Sequence, residues 1–137
     1  MDENKLKHSY AVANKMMEIG ANKNLDDKQL EDLFLLGFLH DIGYNFGNKE
    51  NHNIIGGNIL KNSNYKYWQE VYYHGVADSP YQSLYLDILN TADLMIDKYG
   101  NDVGFDKRLE DIKTRYGIKS VQYQNSIKIV EELRKRG

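Results

Sequence analysis

The chain has 137 residues, 41% of them apolar, with a formal net charge of −2 and no cysteine. That length and apolar fraction suit one compact domain over 1–137 with its own core. The near-balanced charge argues against a binder of nucleic-acid polymers, which needs clustered Lys and Arg to neutralise phosphates. The missing thiols exclude a disulfide framework, a zinc–thiolate site and thiol catalysis.

The polar start MDENKLKHSY lacks the apolar stretch of a signal peptide, and no apolar run approaches the ~20 residues that cross a bilayer. The chain therefore reads as cytoplasmic, with no membrane partner. Apolar spacing is helical nearly throughout and predicts an all-α bundle of six to seven helices. A first helix from about Lys5 to Ile19 puts Leu6, Tyr10, Ala13 and Met17 on one face, with Gly20 placed to end it and His8 in its first half. A second opens near Leu25-Asp26-Asp27, where aspartate suits a helix N-terminus. Its second half, Leu33 to Leu39, is apolar on every side and predicts the central buried helix, which delivers His40-Asp41 at its end with Gly43 as a stop.

A third helix, about His52 to Leu60, contains Gly56-Gly57, a pair that permits close backbone approach. A fourth runs from about Tyr65 to His74. Ser79-Pro80 resembles an N-cap followed by proline at the first helical position, and predicts a fifth helix reaching about Tyr99 and carrying Asp93. The motif-bearing region is thus about 5–98. Two amphipathic helices, 105–116 and 120–136, complete the domain. The Arg134-Lys135-Arg136 run reads as a solvated helix end.

A carboxylate at the end of an apolar helix is partly desolvated and costs several kcal/mol unless a positive group compensates it. A divalent cation does so. Neighbouring helical residues point ~100° apart, so His40 and Asp41 can straddle an ion, and the remaining ligands must come from other helices. His8, His52, His74 and Asp93 each lie on a different predicted helix, as in sites assembled inside bundles. Asp93 interrupts the apolar series Ile88, Leu89, Ala92, Met95, Ile96, which points it inward. The His-Asp pair alone is weak, since four His and twelve Asp in this length give an accidental pair odds of about one in three. The ordered set of six carries the weight. Mixed imidazole and carboxylate ligands suit Fe or Mn, with Zn, Co, Ni or Mg as further candidates, better than calcium.

His8 within HSYAVANKM, His40-Asp41 within LLGFLHDIGY and Asp93 within LNTADLMID together resemble the HD-domain superfamily of metal-dependent phosphohydrolases. Its pattern is an early His, a His-Asp pair and a later Asp. His52 in NHNIIGGNIL and His74 in YYHG stand where two-metal branches carry added ligands. The nearest likeness is to the small bacterial branch that includes symmetrical dinucleoside tetraphosphate hydrolases. The resemblance implies a first metal on His8, His40, Asp41 and Asp93, and a second on His52 and His74 with Asp41 bridging. It implies hydrolysis of a phosphomonoester or phosphoanhydride of a small molecule, with a nucleotide favoured, by a metal-activated water.

The chain has no arginine soon after Ala92-Asp93, where the dinucleotide hydrolases lead one to expect it. Lys61, Lys98, Lys107, Arg108 and Arg115 are the other candidate cations for phosphate. Arg115 is preferred because a guanidinium grips phosphate in a fork, with Lys61 as the second choice. Tyr44, Tyr73 and Trp68 are candidates to stack a base. Asp41 and Glu50 are the candidate catalytic carboxylates, Glu50 as acid for the leaving oxygen. The competing reading is a metal-containing signalling or interaction module that binds a nucleotide without turnover; a homodimer is left open.

Overall fold

A computed structural model describes residues 2–46 and 51–137. Among these residues the architecture is all-α, with seven α-helices, one short 3-10 turn and no sheet. Helix α1 spans Glu3–Asn22 and α2 spans Asp27–Leu39. Asp2 caps α1 through Lys5 N–H, and Asp26 opens α2 with a reciprocal capping box to Gln29, which satisfies donors that a helix start leaves unpaired. Asn24, at φ 63°, takes the left-handed turn between them, so α1 passes through Gly20 instead of ending at it.

The face of α1 that enters the core carries His8, Val12 and Met16, with Ser9 and Ala13 beside them. Leu6 and Tyr10 are exposed at 46% and 55%, so the expected inward stripe is rotated toward the histidine. The second half of α2 is likewise one-sided. Leu33, Leu36 and Gly37 are buried, whereas Leu35 is 48% exposed. Val12, Met16, Leu33 and Leu36 meet Val71, Ile88 and Leu89 in the main core, each burial contributing roughly 1.5–3 kcal/mol.

The 3-10 turn Ile42–Asn45 follows α2 and packs on α3, His52–Asn62. A methyl group on Gly43 would overlap the carbonyl oxygen of His52, so this contact requires glycine. Gly57 plays the same part between α3 and α4 (Trp68–Tyr73), where an added Cβ would lie 2.5 Å from Tyr72 Cβ.

Two expectations fail in the next segment. Ser79-Pro80 does not start a helix: the Ser79 hydroxyl bonds the Tyr81 carbonyl, and Ser83 caps α5, Leu84–Asp93, through Leu86 N–H. Nor does that helix reach Tyr99. The Asp97 carboxylate takes the N–H groups of Tyr99 and Asn101, while Val103 N–H bonds Met95 C=O, so local side-chain bonding folds the chain into a turn. Helices α6, Gly104–Tyr116, and α7, Val121–Arg136, pack on each other around Ile112, Ile129, Val130 and Leu133. The basic end of α7 is engaged: Arg136 forks onto Asp87 of α5, and Arg134 pairs with Asp106. No described helix is long and apolar enough to cross a membrane.

Candidate metal centre

Six elements deliver six side chains to one place. His8 comes from the middle of α1, His40 from the residue after α2, Asp41 from the start of the 3-10 turn, His52 from the first position of α3, His74 from the residue after α4, and Asp93 from the last position of α5. His8 Nε2 lies 2.8 Å from Asp93 Oδ1, and His40 Nε2 lies 3.2 Å from the same oxygen. Asp41 divides its two oxygens. Oδ2 faces His40 Nε2 at 3.3 Å and His8 Nε2 at 3.7 Å, while Oδ1 faces His52 Nε2 at 3.4 Å and His74 Nε2 at 3.6 Å. The last two imidazoles approach each other with Nε2 to Nε2 at 3.2 Å.

Among the described residues, three histidines are held from behind. The Nδ1 atoms of His8, His40 and His74 lie 2.9, 2.6 and 2.6 Å from the carbonyl oxygens of Asp97, Gly37 and Val71. A carbonyl only accepts, so each Nδ1 carries the proton and donates it, and each Nε2 is directed into the cluster. His40 and His74 use one device. Each follows the last residue of a helix and bonds the carbonyl three residues back, a group that a helix end leaves unpaired. The hydrogen bond that closes the helix thereby also fixes the ring.

The cluster is sheltered, with His40 fully buried and His8, Asp41 and His74 at 4%, 4% and 3% exposure. Asp93 is more open, its side chain 21% exposed. Burial alone pulls the His40 pKa down, but the carboxylates of Asp41 and Asp93 outweigh it and hold it well above the ordinary range. Burial likewise pushes Asp41 and Asp93 up, and the imidazoles, His40 foremost, hold both well below the usual carboxylate range. Both carboxylates are thus ready as anionic ligands.

The geometry suits metal ions. Ligands about 2.1 Å from an ion in tetrahedral or octahedral arrangement are separated by about 3.0–3.4 Å, and the His52–His74 contact of 3.2 Å falls there. Two nitrogens at that distance need either a shared proton or a shared cation. Three triads offer ligand atoms mutually within 4.8 Å: His8, His40 and Asp41; His40, His74 and Asp93; and Asp41, His52 and His74. The donors are all nitrogen and oxygen, as transition-metal sites without thiolate require.

Around the cluster, the Tyr44 ring stacks on His52 at 4.1 Å between centroids and 17° between planes, with Lys5 Nζ 3.5 Å from the Tyr44 centroid. Burial, then the charges of Asp41 and Asp93, push the Tyr44 phenol far above its ordinary pKa. Trp68 packs on the main core under Lys61, and Tyr73 meets Tyr72 and Tyr81, so the structure gives neither a contact with a ligand ring. Lys61 is exposed and stands nine residues beyond His52 on α3, roughly 13 Å along the axis at 1.5 Å per residue. The structure does not bring it to the cluster. Arg115 is exposed, with its guanidinium 5.7 Å from the Tyr116 centroid. Glu50 lies outside the described residues. The carbonyl supports from Gly37, Val71 and Asp97 were not anticipated, because backbone acceptors leave no mark in the sequence.

Imidazoles and carboxylates converge from six elements of an all-α bundle into a cluster able to hold a metal ion. The HD domain family model matches residues 6–99, which contain all six clustered side chains, and the chain belongs to that family. Searches of curated proteins and of solved structures give no match.

Proposed function

We propose that this protein is a cytoplasmic metal-dependent phosphohydrolase that cleaves a phosphomonoester or phosphoanhydride, with nucleotides as the favoured substrate class. The observation that carries the reading is the divided carboxylate of Asp41, one oxygen turned to His8 and His40 and the other to His52 and His74. A bridging carboxylate between two sets of imidazoles suits two ions. His8, His40 and Asp93 would hold one, His52 and His74 the other. Ions bound there, Fe or Mn by the donor set, would acidify a water molecule and withdraw charge from phosphoryl oxygens.

The chain itself supplies position and shelter. The carbonyls behind His8, His40 and His74 fix each ring with its Nε2 inward, which is the role that outer partners of metal ligands play. The buried floor formed by His40 and Asp41 keeps bulk water from the inner side, leaving Asp93 and His52 as the more open members. A substrate therefore approaches from their side. Glu50, two positions before His52, is assigned the role of acid for the leaving oxygen. Membership of the HD family supports metal-dependent hydrolysis in general, and the likeness to the dinucleoside tetraphosphate branch sets part of the substrate panel.

The test is elemental analysis of protein purified without chelator, then phosphate release from nucleoside mono-, di- and triphosphates and dinucleoside polyphosphates with Mn or Fe. Bound transition metal and turnover that disappears on chelation are expected. Metal and nucleotide binding with no turnover would instead establish the non-catalytic module, and a protein that takes up no transition metal would refute both.

A further inference from the structure

We infer that α7, which lies beyond the residues matched by the family model, supports the second half of the metal centre, and that Asn125 is the residue through which it positions His74. The role of Asn125 rests on the two-ion reading of the cluster. It touches neither an ion nor a substrate and acts through the segment that follows His74.

That segment has little backbone support of its own. Gly75 and Asp78 take left-handed φ values of 74° and 55°. His74 N–H reaches Val71 C=O only at 3.4 Å, and Val76 N–H reaches Tyr73 C=O at 3.3 Å. Side chains from two other helices hold the segment instead. On α5, the buried Asn90 accepts from Gly75 N–H at 3.0 Å. On α7, Asn125 uses both ends of its amide: Nδ2 donates to Gly75 C=O, and Oδ1 accepts from Ala77 N–H at 2.9 Å. Lys128 pairs with the Asp78 carboxylate, and Glu132 accepts from Asp78 N–H at 3.2 Å. Asn125, Lys128 and Glu132 are spaced by three and four, so they form one polar stripe of α7 turned to residues 75–78. The apolar packing of α6 on α7 uses other positions, Ile129, Val130 and Leu133.

The consequence falls on His74. Its ring is fixed to α4 by one bond, from Nδ1 to Val71 C=O, and α4 has only six residues. Both backbone polar groups of the next residue, Gly75, are taken by side chains, one from α5 three positions before Asp93 and one from α7. His74 is thereby tied to three helices, and its Nε2 is held 3.2 Å from His52 Nε2 and 3.6 Å from Asp41 Oδ1. Elsewhere α7 packs on α5 and α6, so its hydrogen bonds beside the cluster fall next to His74. Loss of the Asn125 amide would free Gly75 C=O and Ala77 N–H together, and the second ion would lose the fixed placement of one of its two imidazoles.

The experiment is a Mn titration of the full chain by calorimetry and by electron paramagnetic resonance, which separates a lone Mn ion from a coupled pair. Wild type is compared with Asn125→Ala, Asn125→Asp and Arg134→Ala, with the melting temperature recorded for each. Arg134 is also on α7 but pairs with Asp106 of α6, so its loss reports what loosening the helix pair does by itself. Wild type should take two ions. Asn125→Ala should hold the first at wild-type affinity and weaken the second by about tenfold, the lower end of what loss of an outer partner costs. The isosteric Asn125→Asp removes the donor to Gly75 C=O and should also weaken the second ion alone; it decides the matter should Asn125→Ala not fold. Arg134→Ala should bind both ions as wild type does, whatever its melting temperature. The assignment is overturned if either folded Asn125 variant holds the second ion as wild type does, or weakens both ions equally. It is equally overturned if Arg134→Ala weakens the second ion as much, or if wild type takes fewer than two ions. Phosphate release from nucleotides is scored separately. Two ions, the second dependent on Asn125, with no turnover would remove the hydrolase reading and keep this assignment; turnover with second-ion affinity unchanged in the Asn125 variants would do the reverse.

Discussion

The two halves of the histidine cluster use the same chemistry on different scaffolds. His8 and Asp93 stand on α1 and α5 and His40 just after α2, helices of 20, 10 and 13 residues that pack together and supply much of the main core. His52 and His74 stand on the first residue of α3 and just after the six-residue α4, and the His52 side chain is 20% exposed where His40 is fully buried. The comparison teaches that ligand identity and ligand rigidity are set separately. Both halves contain close approaches at glycine, Gly37 on Ala13 in the first and Gly43 and Gly57 in the second, but the first half is carried by long helices of the core whereas the second is carried by a helix start and a six-residue helix. An ion in the first position should therefore be held more firmly.

Asp41 alone belongs to both halves, so its removal should have the largest effect. Asp41→Ala should lose both ions and all measurable phosphate release, with metal affinity falling by more than the 10- to 100-fold that loss of an outer partner costs. Elemental analysis and a turnover assay check this, and retained activity would contradict the bridge. One step smaller, His52→Ala or His74→Ala should halve the metal content by releasing the second ion, while His8→Ala should strip the first. If all three variants lose the same ion, the division into halves is wrong.

Gly43→Ala is the next step down, because it alters no ligand. Its Cβ would collide with the His52 carbonyl, which is backbone and can move only with α3. Crowding of this kind costs typically 1–3 kcal/mol. The variant should melt earlier and lose the second ion before the first. Metal titration followed by a melting curve measures both, and equal weakening of the two ions would show that the 3-10 turn supports both positions alike.

Much of this arrangement was legible in the sequence, for identifiable reasons. Helical periodicity gave the all-α class, and the order of His8, His40-Asp41 and Asp93 marked the side chains that meet, because residue type and sequence order survive any error in helix ends. What stayed hidden depended on rotation and competition. The α1 stripe was misjudged because His8 counts as polar yet points inward. The end of α5 was misplaced because Asp97 bonds the N–H groups of Tyr99 and Asn101, and its start because Ser83, not Ser79, finds the free N–H.

The smallest effect is expected farthest from the cluster, and it tests whether the contrast between the halves is local. Asp32 lies on α2 eight residues before His40, about 12 Å along the helix, where its carboxylate accepts from Lys28 Nζ and the Tyr67 hydroxyl. The Lys28 hydrogen bond, helped by Tyr67 and opposed by partial burial, holds its pKa below the ordinary 3.8. A depressed carboxylate pKa stabilises the fold above the unfolded value, and that contribution is lost as pH falls through the folded value. Asp32→Asn should thus be slightly less stable than wild type at pH 7, and the gap should close in acid, below about pH 4. Denaturant melts at several pH values read this directly. Metal content and phosphate release should stay at wild-type levels throughout; a loss of metal in this variant would mean that α2 transmits strain along its length to His40, and that the first half is less rigid than its packing implies.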